Sequence, residues 1–329
     1  MAGETQNIGK MAEKLSDEVF SEFFWEKIGS TNENWQCEDS EHHNVDTHPA
    51  DVVFFYDEPY TQGRTYVHCD LKSYAKNSIQ TNAVQGALIS LSKQVACAEK
   101  SDTWRKRYMH DNVTPLICGL LFVYNHDGEY DKTFHAHLHS LKQEKLDLPT
   151  NAKLCVFGPQ DIFWLDNVRY EIRQMRGKAG SDKLPDAKDC RFFYPDLDRH
   201  ANVRPSKARA ATVEMLTSPW IVLEYRKNGR RGIIVFYRRD GSTENEFIYL
   251  LDYLRHYQVL REDTDVTIKT LDTVPTAQAM FQKAMHRYVA GLGGAEGSEL
   301  GDRVKAIKYS KMSQVLTTFS TDEIGMEYD

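Results

Sequence analysis

The chain has 329 residues, 41% of them hydrophobic and 27% charged, with a net charge of −7. That length suits a substantial core divided between about two domains, and no apolar run reaches the roughly 18 residues of a membrane span. The acidic balance argues against a general polyanion binder, although DNA can be held by a local basic face on an acidic protein.

Residues 15–28 carry apolar side chains at Leu15, Val19, Phe20, Phe23, Phe24 and Ile28, a spacing that predicts an amphipathic helix stopped by Gly29. A short strand is expected at 34–38. Residues 51–56 are rich in Val and Phe, as buried strands are. Pro59 and Gly63 mark a turn, and 64–71 reads as the next strand. Residues 78–99 repeat Ala, Leu, Ile and Val at helical steps. The nearly continuous apolar run at 115–124 suits a strand covered on both faces. Residues 177–206 are rich in Gly, Pro and Asp and read as a long loop. Further on, 220–225 and 232–237 form a hairpin around Lys227-Asn228-Gly229. A helix at 244–257, a strand at 265–271 and a helix at 276–289 follow, closed by the glycine-rich 291–297. The polar tail after Gly301 reads as loosely held.

The most informative stretch is His48-Pro49-Ala50-Asp51-Val52-Val53-Phe54-Phe55, followed by Tyr66-Val67-His68-Cys69-Asp70-Leu71-Lys72. Strand alternation puts Asp70 and Lys72 on one face and sends Leu71 towards the core. If the two strands pair as a hairpin, Asp51 reaches the same spot. Two carboxylates and a lysine at a sheet edge suit a Mg2+ ion and an activated water.

The Pro-x-Asp and Asp-x-Lys motifs, set within the order helix, three strands, helix, strand, resemble the PD-(D/E)XK nuclease superfamily. The resemblance covers residues 15–125. It implies an α/β fold: a restriction-endonuclease-like mixed sheet flanked by helices in a core at 1–150. A connecting region with a basic loop at 151–215 and a second, smaller α/β region at 216–329 would follow. It implies that Asp51 and Asp70, with the Leu71 carbonyl, hold Mg2+ or Mn2+, while Lys72 orients the water or neutralises the transition state. The first helix of this superfamily often adds a carboxylate; Glu22 is favoured here over Glu18 and Glu26. Gln85 fits a glutamine that some of its families carry, ahead of Gln80 and Asn82, and Ser73 and Tyr74 are placed to touch a phosphate. The resemblance suggests a prokaryotic defence or restriction-type nuclease, and such nucleases often work with a separate ATPase or helicase-type partner. Nothing in this chain resembles a nucleotide-binding loop.

Basic side chains cluster at Arg169, Arg173, Arg176 and Lys178, at Arg199, Arg204, Lys207 and Arg209, and at Lys227, Arg230, Arg231, Arg238 and Arg239. They are candidate DNA contacts or solvated surface. Six cysteines (37, 69, 97, 118, 155 and 190) lack any Cys-x-x-Cys pair and read as buried free thiols. His135, His137 and His139 alternate as zinc ligands can, yet have no acid or cysteine at a clear partner spacing. The N-terminal segment has no apolar signal core, so a cytoplasmic protein is expected. Three classes therefore stand: a metal-dependent deoxyribonuclease, a catalytically silent nuclease-fold scaffold or nucleic-acid-binding subunit, and a histidine-based metal hydrolase. Retention of both Asp70 and Lys72 argues against the second, and the missing partner ligands argue against the third.

Overall fold

The computed structural model describes residues 2–109, 113–195, 208–294 and 298–315. It divides between Asp166 and Asn167 into two compact units, with 208–210 returning to the first.

The first unit opens with α1 (Ala2–Glu22). This helix ends before the Ile28 expected from periodicity, because Phe24 takes a left-handed backbone (φ 64°) and Trp25 N–H bonds back to the Phe20 carbonyl at 3.0 Å. The chain reverses there into β1 (Glu26–Ile28). Next come β2 (Glu33–Gln36), α2 (Ser40–His43) and β3 (Thr47–Ala50); β2 and β3 pair with each other in a two-stranded sheet. The strand expected at 34–38 thus lies outside the main sheet, and β1 takes its place there. Then come β4 (Val52–Asp57), β5 (Gly63–Tyr74), α3 (Thr81–Lys100), α4 (Asp102–Tyr108), β6 (Thr114–Asn125), β7 (Lys153–Phe157) and α5 (Pro159–Gly177), within which the division at Asp166 and Asn167 falls.

The main sheet has the order β1-β4-β5-β6-β7. The first two pairings are antiparallel and the last two parallel. This is the mixed α/β sheet flanked by helices that the motif order implies. β6 has a strand on each side and helices on both faces, which explains its continuous apolar run. Gly119 in β6 lets α3 press close: a Cβ there would come within 2.7 Å of Val95 Cγ2.

The two faces of the sheet are distinct. Phe54 and Phe122 meet Phe20 of α1 edge to face, so α1 covers the face that carries Val67, Cys69 and Leu71 by register. The other face packs Val53, Tyr66, Leu121 and Val123 against Val84, Leu88, Leu91 and Val95 of α3.

The second unit contains β8 (Cys190–Phe192), α6 (Val213–Leu216), β9 (Trp220–Lys227), β10 (Arg230–Tyr237), α7 (Glu244–His256), β11 (Thr264–Thr270), α8 (Ala277–Gly291), α9 (Glu299–Lys305) and β12 (Lys308–Lys311). The turn between β9 and β10 uses Asn228 and Gly229, both at positive φ (50° and 78°), as tight hairpins require. Two loop expectations are corrected. Residues 177–195 contain short 3-10 turns and β8, and the segment after Gly301 continues into β12, which pairs with β11. Burial of Val304, Ile307 and Met312 holds that segment down.

The second sheet has the order β12-β11-β10-β9-β8. Read from β8, its pairings are antiparallel, antiparallel, parallel and parallel. The strand order and senses of the first sheet are thus repeated.

Candidate active site

Antiparallel pairing of β4 with β5 sets Val52 opposite Cys69, so Asp51, at the bend between β3 and β4, falls beside Asp70. The Asp51 Oδ2 accepts a hydrogen bond from Leu71 N–H at 2.7 Å. Lys72 Nζ donates to Asp70 Oδ1 at 2.5 Å. Asp70 is 6% exposed, and Lys72 and Asp51 are half-buried. The three side chains lie together on the face covered by α3. Leu71 points the other way and is only half-buried. Its N–H, rather than its carbonyl, is the group bonded to a site carboxylate.

Charge and burial oppose each other here. Burial pushes Asp51 up, its bond from Leu71 N–H pulls it down, and the neighbouring Asp70 carboxylate pushes it up again, to about 6. Burial works against the Lys72 ammonium, but Asp70 and then Asp51 outweigh it and hold Lys72 above its ordinary range. Two adjacent carboxylates share one amine, which leaves an excess of negative charge. A divalent cation with hard oxygen preference fits that donor set, and Asp51 and Asp70 are the side chains that would hold it.

His68 lies two residues before Asp70 on the same face, and sequence reasoning did not single it out. It accepts from Trp104 Nε1 through Nδ1 at 3.3 Å, so its proton sits on Nε2, 2.9 Å from Gln94 Oε1. Burial lowers its pKa. Period-2 alternation from Asp70 was the available signal.

The remaining sequence candidates are not all brought to this cluster. Glu22 is 7% exposed, but it sits on α1, the helix of the opposite face. Along α1, Asp17 is the acid whose charge acts on Cys69 together with Asp51 and Asp70. Further along the helix Phe20 meets Phe54 and Phe122, and beyond its end Trp25 meets Tyr56. Glu18 is half-buried on the same helix and Glu26 is exposed on β1. Gln85 donates to the His137 carbonyl and to Ser140 Oγ, both at 2.9 Å. Ser73 is 3.3 Å from His126 Nδ1 and alternates away from Asp70. Tyr74 shares the face of Lys72 and acts on its charge.

Of the basic side chains, Arg169 is buried, Arg176 half-buried, and Arg173 and Lys178 exposed. Arg209 stacks on the Phe24 ring at 4.1 Å. Arg199, Arg204 and Lys207 lie outside the described residues. Lys227, Arg230 and Arg231 bind the Gly180 and Lys183 carbonyls, Asp265 and Glu224 respectively. His135 and His137 sit in a 3-10 turn that His139 follows, and the three do not converge. His137 bonds to Thr81 and Tyr130, and His135 lies 3.9 Å from Asp161.

A mixed sheet whose central hairpin brings Pro-x-Asp and Asp-x-Lys to one end defines a restriction-endonuclease-like domain. Residues 1–161 match the family described as the GAPS4 protein PD-(D/E)XK nuclease domain, so this part of the chain is similar to the nuclease domains of that family. No curated protein matches the chain. Among the described residues, no helix is long and apolar enough to cross a membrane.

Proposed function

We propose that the chain is a Mg2+- or Mn2+-dependent nuclease that hydrolyses DNA phosphodiester bonds in defence against foreign DNA, with Asp51, Asp70 and Lys72 as its catalytic residues. The observation that carries this reading is the buried, lysine-paired Asp51–Asp70 cluster within the nuclease-family segment. Asp51 and Asp70 hold the cation, and the Leu71 carbonyl is a further ligand of the reading. A bound divalent ion lowers the pKa of a water and offsets charge on the scissile phosphate. Lys72, held protonated between the carboxylates, orients the attacking water and places positive charge where the phosphorane develops. The Asp51 and Asp70 carboxylates are fixed before substrate arrives, by Leu71 N–H and Lys72, so little reorganisation is left to the reaction.

The defence role rests on the family, since GAPS4 is an anti-phage defence system component. The partner rests on charge. At −7 the isolated chain attracts phosphate backbones weakly. An ATPase or helicase-type partner that delivers DNA would supply what the chain lacks, and the exposed Arg173, with Arg169 and Arg176 of the same helix, stays a candidate contact. Cleavage of plasmid DNA and of RNA should be compared for the chain alone and with its co-purifying partner, in Mg2+, Mn2+ and EDTA. DNA cleavage that needs the metal and rises with the partner is expected. Efficient cleavage by the chain alone at physiological salt would defeat the partner, and RNA-only cleavage the substrate.

Asp51 also sets a pH dependence. Metal binding needs its ionised form, so at limiting metal the rate should fall about tenfold per pH unit below about 6. Raising the metal concentration should move that limb to lower pH. The stability sign is opposite. A raised carboxyl pKa stabilises the metal-free fold fully below its ordinary value of 3.8, and the gain is lost as pH rises through about 6. Asp51→Asn should flatten this dependence in metal-free thermal melts.

A further inference from the structure

Cys37 follows β2, His43 ends α2, His48 lies on β3 and Cys97 sits on α3. All four are buried, and one ligand atom from each lies within 4.8 Å of the others. The Cys37 and Cys97 sulfurs are 3.6 Å apart, and each is 3.3 Å from His43 Nδ1. Zinc bonds of about 2.3 Å to sulfur and about 2.0 Å to nitrogen place tetrahedral ligands roughly 3.3–3.8 Å apart, which matches these separations.

Two observations beyond the cluster point to a ligand. His48 is 3% exposed, yet its buried Nε2 has no hydrogen-bond partner among the described residues, an arrangement that buried polar groups avoid. His43 turns its other nitrogen, Nε2, to Asp147 Oδ2 at 2.8 Å. A carboxylate behind a ligating histidine is the usual way such a ring is oriented towards a metal.

We propose that Cys37, His43, His48 and Cys97 bind a structural zinc ion. Four protein ligands, all buried, leave no open position for a substrate, so the site is closed rather than catalytic. It revises the reading of Cys37 and Cys97 as plain buried thiols. Its place in the fold gives it a role. Residues 33–50 form two four-residue strands and one four-residue helix, too little to be stable alone. Three ligands come from this excursion and the fourth from α3, so the ion ties the excursion to the helix beneath. His48 is three residues before Asp51, and Trp35 packs its ring 5.1 Å from His48 and 6.3 Å from His68. The tie therefore holds the chain that enters the acidic cluster.

The test is elemental analysis of the purified full-length chain, kept reduced. About one zinc per chain is expected, retained in the Asp51→Asn/Asp70→Asn double variant and lost in Cys97→Ser and in His48→Gln. Co2+ added to the chelator-treated wild-type chain should give the visible absorption of a tetrahedral ion with a thiolate charge-transfer band, a readout that does not depend on the variants folding. Three results would each overturn the proposal: a folded wild-type chain without zinc and without that spectrum, zinc lost in the aspartate variant but kept in Cys97→Ser, or a Cys37–Cys97 disulfide in the reduced-prepared protein.

Discussion

Replacement of Asp70 with alanine is expected to lower DNA cleavage by at least about 100-fold while leaving the fold intact. The bound derives from metal sites in which loss of an outer partner alone costs about 10–100-fold; Asp70 would be a direct ligand and the anchor of Lys72 as well. Removing it takes away half of the carboxylate pair and frees an ammonium in a half-buried position. Lys72→Ala should be comparably inactive but should still bind metal, because both carboxylates remain. Glu22→Gln is expected to stay within about threefold of wild type, since α1 carries it on the far face of the sheet. Steady-state cleavage of a labelled duplex, with circular dichroism to establish folding, measures the series. An Asp70→Ala protein that cuts at the wild-type rate would remove the cluster from the chemistry, and an inactive Glu22→Gln would bring the helical acid back into the metal shell.

The second large effect concerns stability of the C-terminal unit. Glu224 is 2% exposed on β9. Its carboxylate accepts from Arg191 Nη2 at 3.0 Å and from Arg231 Nη2 at 3.3 Å. Burial works against its charge, but Arg231 and then Arg191 outweigh this and hold its pKa below the ordinary value. Breaking a buried ion pair by removing one partner costs about 3–5 kcal/mol, because the remaining charge is stranded. Glu224→Ala should fall at the lower end, since Arg191 is 46% exposed and can turn to water. A depressed carboxylate pKa gives stability that is present above the ordinary value of 4.5 and lost as pH falls through the folded value. The wild-type chain should therefore lose this contribution on acidification below about 4.5, and Glu224→Gln should lack that limb. Urea unfolding at several pH values measures both; an unchanged midpoint would mean that the arginines are held by other partners.

Much of the first unit was legible because its signals are local. Asp70 and Lys72 share a face by strand alternation, and Asp51 joins them once β4 and β5 form a hairpin. The run at 115–124 announced a strand covered on both sides. What escaped depends on tertiary choices. Phe24 adopts a left-handed backbone that bulky residues rarely take, so the apolar periodicity ran past the true helix end and hid β1. A helical wheel sets Glu22 beside the apolar stripe of α1, but it does not say which face of the sheet that helix covers. The C-terminal strand β12 is short and polar, and only its pairing with β11 and the apolar residues on either side reveal it. Cys37 and Cys97 stand 60 residues apart, so no spacing rule links them. The sequence hint was one-sided: a cysteine and three histidines within residues 37–48.

The repeated strand order of the two sheets bears on how many strands of a duplex one molecule can break. In the first sheet, Asp51 faces Asp70 just past the last hairpin pair, Val52 with Cys69. In the second, the last pair is Trp220 with Tyr237, and the positions beyond it hold Pro219 and Arg238, joined by a backbone hydrogen bond of 2.9 Å. Asp240 stands where the first sheet has Lys72. The same scaffold thus occurs twice, with an acidic pair on one copy and an arginine against a proline on the other. On the proposed reading, each molecule carries one cutting centre for a substrate built of two antiparallel strands. A complete break then takes two engagements, by a second molecule or by the same one rebound in the opposite sense.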